Sequence, residues 1–116
     1  MSMTINEDNF EQLVLASSLP VLVHFWAPWC GLCRRIMPLL NRFQSEWSDH
    51  LQILDINADE NFHLATHYQL QTLPTLLFIE DGQVLQRFEG LRAQDDFRRA
   101  LELLMRRHQL ERSYYE

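Results

Sequence analysis

Apolar and polar positions change period several times along the chain, and each change marks an element. Phe10, Leu13, Val14 and Ser17 recur at helical spacing, with Asn6 the expected N-cap and Glu7 and Asp8 suited to the positive end of a helix. Pro20 closes that segment, and Val21-Leu22-Val23-His24-Phe25-Trp26 is a short apolar run, the pattern of a strand buried on both faces. Ala27 to Cys33 forms a loop feeding a helix whose apolar stripe is Ile36, Leu39, Leu40, Phe43 and Trp47; Pro38 is expected to kink it. Leu51 to Ile56 reads as a second strand and Asn61 to Tyr68 as a short helix, an order that calls for a parallel pair with a right-handed crossover. Thr75 to Ile79 and Gln83 to Phe88 flank Asp81-Gly82, a strong hairpin signal. The last helix is expected from about Ala93 through Arg107, with Phe97, Leu101, Leu104 and His108 on one stripe. The reading is an α/β domain over residues 1–109, a mixed parallel and antiparallel sheet with helices on both faces. Residues 110–116 are read as a tail, either frayed or used for docking.

Composition narrows the function more than the fold. At 116 residues and 47% hydrophobic the chain is one globular domain's worth of sequence. All ten basic residues are arginine, so there is no lysine for a P-loop, a Schiff base or a pyridoxal-phosphate site. A formal net charge of −6 argues against a general nucleic-acid binder. No apolar stretch approaches the length of a membrane span, and the first twelve residues lack the charged and apolar regions of a signal peptide. A cytoplasmic, reducing compartment is therefore expected.

The two cysteines, Cys30 and Cys33, stand three residues apart. In a reducing compartment such a pair points to catalysis or metal binding rather than a structural staple. Cys30 falls where a central strand hands over to a helix. There unpaired backbone N–H groups and positive partial charge stabilise a thiolate. Cys33, one turn further in, is placed to attack a mixed disulfide on Cys30 internally. The spacing suits a reversible dithiol–disulfide couple.

Trp26-Ala-Pro-Trp-Cys-Gly-Leu-Cys33 resembles the active-site segment of thioredoxins, and residues from about Asn6 to Arg107 follow the family pattern without a gap. Asp59 to Asn61, Tyr68 and Leu73-Pro74-Thr75 also sit at the family's spacing. The resemblance implies the thioredoxin fold and a thiol–disulfide oxidoreductase. Its partners would be disulfide-containing substrate proteins and a thioredoxin-reductase-type electron donor, with no cofactor, no metal, no nucleic acid and no membrane. A monomer is expected. The resemblance also makes Pro74 a cis-proline beside the disulfide, leaving Leu73 free to pair with an extended substrate segment. The docking surface would be Trp29, Gly31, Leu32, Thr72, Leu73, Pro74 and Gly90, although Trp29 also reads as an exposed aromatic without a role. Trp26 reads as packing beneath the site.

Two departures from the pattern matter. Leu32 replaces the family's proline between Gly31 and Cys33, which implies a more oxidising couple. The family's buried aspartate and neighbouring lysine are replaced by His24 and Asp55, an exchange of polarity. A neutral histidine can handle a proton near pH 7, so His24 would serve Cys33 with Asp55 orienting its ring. The alternative is a core histidine bonded to backbone and an Asp55 at a solvated strand end. Arg34 and Arg35 either favour the thiolate or form a solvated face. His50, His63, His67 and His108 read as surface residues rather than ligands. Two other functions stay open: an adaptor or chaperone of the same fold, and a metal- or cluster-bridging module built on the cysteine pair.

Overall fold

The computed structural model describes residues 3–115. Five strands form one sheet: β1 (Met3–Ile5), β2 (Val21–Trp26), β3 (Gln52–Asn57), β4 (Thr75–Glu80) and β5 (Gln83–Phe88), in the order β1-β3-β2-β4-β5. β1, β3 and β2 run parallel, and β4 and β5 add antiparallel. Three helices complete the fold: α1 (Gly31–Glu46), α2 (Phe62–His67) and α3 (Gln94–Tyr115).

β2 is the central strand, buried at Val21 to Phe25, as its unbroken apolar run predicts. Side chains alternate between two apolar layers. Leu22 meets Ile36 and Leu40 of α1, Ile53, Phe78, and Phe97, Leu101 and Met105 of α3. Val23 and Phe25 meet Phe10, Val14, Leu54 and Leu77 on the other face, where Leu64 and Tyr68 also pack. Burial between Phe10 and Phe25 pushes the Tyr68 phenol above its usual value of 10.0. α1 runs through Pro38, and Gln44 on it pins the next strand by donating to Leu51 O at 2.8 Å and accepting from Ile53 N–H at 2.5 Å.

Three expectations are corrected. The N-terminal segment is strand β1, then a short π-helical turn, Glu11–Leu15, closed by Ala16 N–H to Glu11 O at 2.9 Å. Its N-cap is Phe10; Asn6 instead closes a local turn by accepting from Asp8 N–H at 2.9 Å. On α3 the buried position after Phe97 and Leu101 is Met105, with Leu104 only half-buried. The helix also continues past Arg107 to Tyr115, because no glycine or proline interrupts it. Position 116 of the expected tail lies outside the described residues. The Asp81-Gly82 hairpin has positive φ at both residues, 52° and 78°, the backbone of a tight two-residue turn that asks for glycine at its second position.

α2 is positioned from a distance. It has no fully buried side chain, yet Glu7 Oε1 accepts from His63 N–H at 2.8 Å and Leu64 N–H at 3.3 Å, while Asn61 Oδ1 accepts from Glu7 N–H at 2.9 Å. These bonds satisfy first-turn donors that the helix itself cannot.

Candidate active site

β2 ends at Trp26, and Cys30 is the N-cap of α1, held by its N–H donating to Ala27 O at 3.0 Å. Its φ of −86° and ψ of 105° are extended, and its Sγ accepts from the Cys33 N–H at 3.1 Å. The sulfur thus takes the place that a serine or aspartate oxygen holds at many helix starts. In the reduced state the same N–H and the helix terminus stabilise a thiolate on Cys30. Here Cys30 and Cys33 are joined in a disulfide with Cα atoms 5.3 Å apart. Cys30 keeps 6% exposure and Cys33 none, so only the first cysteine borders solvent. Arg34, exposed, donates from Nη1 to Pro28 O at 2.8 Å and braces the turn before the cysteines.

The C-terminal ends of β2, β3 and β5 and the start of β4 share one end of the sheet. That register sets Pro74 next to Trp26, and the Leu73–Pro74 peptide is cis. Thr75 Oγ1 donates to Thr72 O at 2.7 Å and closes the bend that holds it. An apolar groove lined by Leu32, Thr72, Leu73, Gly90, Leu91 and Arg92 joins this bend to the helix start. Leu32, Thr72, Leu73 and Gly90 were expected there from sequence; Leu91 and Arg92 were not, since nothing local marks them. Gly90 has a φ of 74° and open space where a Cβ would stand. Trp29 and Gly31 lie outside the lining of that groove. Trp29 is 68% exposed, but its Nε1–H donates to Asp59 Oδ2 at 2.9 Å, so the ring is held in place.

His24 and Asp55 meet directly. They are register partners on β2 and β3, and His24 Nδ1 lies 2.9 Å from Asp55 Oδ1. His24 is fully buried and Asp55 is 6% exposed, which replaces the reading of a backbone-bonded histidine and a solvated aspartate. A carboxylate only accepts, so Nδ1 carries the proton and a neutral ring presents a bare lone pair at Nε2. That Nε2 is buried and has no hydrogen-bond partner among the described residues. His24 stands two residues from Leu22 and shares its face of the sheet, the one covered by α1, the helix that carries Cys33.

The other histidines lie apart. His50, His63 and His67 are exposed. His108 corrects its surface reading: it is buried on α3, 3.3 Å from Glu80 Oε1 and edge-on to Phe78. Among the described residues no group of three or more His, Cys, Asp or Glu side chains is arranged to hold a metal ion.

A cysteine pair at a strand-to-helix turn, one cysteine bordering solvent and a cis-proline bend at the same sheet end, defines a thiol–disulfide oxidoreductase. The family model described as Thioredoxin matches residues 1–103, and the chain belongs to the thioredoxin family. It is 43% identical to Thioredoxin 1 of Synechococcus elongatus over 79 residues, 68% of this chain and 74% of that protein. It is 40% identical to Thioredoxin of Haemophilus influenzae over 81 residues, 70% of this chain and 76% of that protein. With Thioredoxin M-type, chloroplastic, of Chlamydomonas reinhardtii the identity is 40% over 86 residues, 74% of this chain and 61% of that protein. No helix among the described residues is long and apolar enough to cross a membrane.

Proposed function

We propose that Cys30 is the attacking thiolate and Cys33 the resolving thiol in reduction of substrate protein disulfides. The observation that carries this assignment is the difference in burial between two bonded cysteines, the less buried one accepting a helix N–H at its sulfur. Cys30 Sγ attacks one substrate sulfur; that S–S bond breaks, a mixed disulfide forms, and the departing sulfur takes up a proton. Deprotonated Cys33 then attacks Cys30 Sγ, the second substrate thiol leaves with a proton, and the Cys30–Cys33 disulfide closes. Two electrons pass to substrate, and a thioredoxin-reductase-type donor restores the dithiol.

His24 takes the proton of Cys33 in the resolving step, and Asp55 holds its ring with Nε2 free to accept. The groove lined by Leu32, Thr72, Leu73 and Gly90 receives an extended substrate segment, with Pro74, Trp29 and Gly31 completing the docking surface outside that lining. The chain works as a monomer in a reducing, cytoplasmic compartment, which suits a protein whose only two cysteines are its redox pair. Residues 1–109 form the catalytic domain.

The test of the proton assignment is the pH dependence of mixed-disulfide resolution between pH 5 and 9 in the wild type, His24→Ala and His24→Gln. Both variants are expected to slow resolution and change the shape of the profile. Identical rates and profiles would remove His24 from the mechanism.

A further inference from the structure

Arg87 stands on β5 opposite Leu77, on the sheet face that carries Tyr68, Leu70 and Leu73. Its Nη1 donates to Tyr68 O at 2.5 Å and its Nη2 to Gln69 O at 3.0 Å. Its Nε lies 3.1 Å from Glu89 Oε2, a charge contact rather than an aligned hydrogen bond. One guanidinium therefore spans two chain segments. The first is the end of α2, where Tyr68 is the C-cap and Gln69 takes a left-handed φ of 53°, an unfavourable backbone for a residue with a side chain. The second is the stretch from β5 to Gly90. Thr72 and Leu73 follow the first segment and Gly90, Leu91 and Arg92 follow the second, and together these line the groove beside Leu32.

We propose that Arg87 is a positioning residue for substrate binding, a strut that sets the width of the groove by tying the 68–69 turn to Glu89. The proposal rests on the groove being the substrate site. Only arginine presents planar, divergent donors able to reach two carbonyls and a carboxylate together. α2 contributes no fully buried side chain, so apolar packing holds its C-terminal end only partly, and the two carbonyl bonds from Arg87 are what fasten that end to β5. The turn keeps its own closure, Gln69 N–H to Thr66 O at 3.1 Å and Leu70 N–H to Ala65 O at 3.0 Å, but without Arg87 it loses its tether to β5, and Thr72 and Leu73 can shift with it as one piece. The disulfide, held by β2 and α1, does not depend on Arg87.

The consequence is a split between substrates. An extended protein segment uses the groove, whereas a small aromatic disulfide needs only the exposed edge of Cys30. The experiment measures turnover of the full chain, with dithiothreitol as reductant, on oxidised insulin and on a small aromatic disulfide. It compares wild type, Arg87→Met, Arg87→Lys and the groove-filling Gly90→Val, with folding of each checked by circular dichroism. For Arg87→Met the KM for insulin is expected to rise about fivefold with kcat nearly unchanged, the pattern of lost uniform binding. Its rate on the small disulfide should stay near wild type, and Arg87→Lys, which can reach one carbonyl, should fall between. An unchanged insulin KM in Arg87→Met, beside a raised one in Gly90→Val, overturns the strut while leaving the groove in place. Equal slowing on both substrates overturns it too, by showing a general structural role. If neither Arg87→Met nor Gly90→Val changes the insulin KM, the groove reading falls and takes the strut with it.

Discussion

At the scale of single residues the two cysteines are chemically alike, and their surroundings differ. The Cys33 N–H points at Cys30 Sγ, and Cys30 alone keeps contact with solvent. Removing the second sulfur should therefore strand the reaction halfway. Cys33→Ser is expected to accumulate a stable disulfide between Cys30 and a substrate cysteine, seen as a mass increase that a reductant reverses. Cys30→Ser should form no such adduct, and an adduct on Cys33 in that variant would reverse the assignment. His24 and Asp55 were legible as an exchanged pair because each fills a position where the family carries the opposite polarity. Their hydrogen bond was one of two readings, set against a solvated Asp55, since a separation of 31 residues leaves no local pattern to choose between them. Leu91 and Arg92 were missed for a related reason: they line the groove only because β5 ends beside the cis-proline bend.

At the scale of elements the legible parts are those with a period. The apolar run of β2, the stripe of α1 and the Asp81-Gly82 hairpin appear where the pattern puts them. β1 has three residues, too few to show alternation, and pairs with β3 across the chain at Ile5 and Ile56. The end of α3 escaped detection because Leu110 is 72% exposed, so among the described side chains the buried stripe stops at His108. α2 shows what pattern cannot supply. Glu7 binds its first turn from 56 residues upstream and Arg87 binds its end from β5. Glu7→Ala should lower stability by about 1 kcal/mol, the usual cost of losing a helix-capping acceptor, while Glu7→Gln should keep most of it. The comparison is a urea denaturation midpoint at constant m-value; equal midpoints for all three proteins would show that Glu7 does not hold α2.

At the scale of the whole molecule the sheet brings four distant stretches to one end: the turn after β2, the turn after β3, the bend before β4 and the exit of β5. The family membership, the disulfide and this convergence describe one device, a cysteine pair that exchanges between dithiol and disulfide at one end of the sheet. The most direct test is the redox equilibrium of the full chain against graded glutathione buffers, followed by the thiol content of Cys30 and Cys33. A single reversible two-electron transition is predicted, with both thiols appearing together and the populations shifting tenfold for about every 30 mV. Thiols that appear separately, or a disulfide that cannot be reduced without unfolding the chain, would contradict the account.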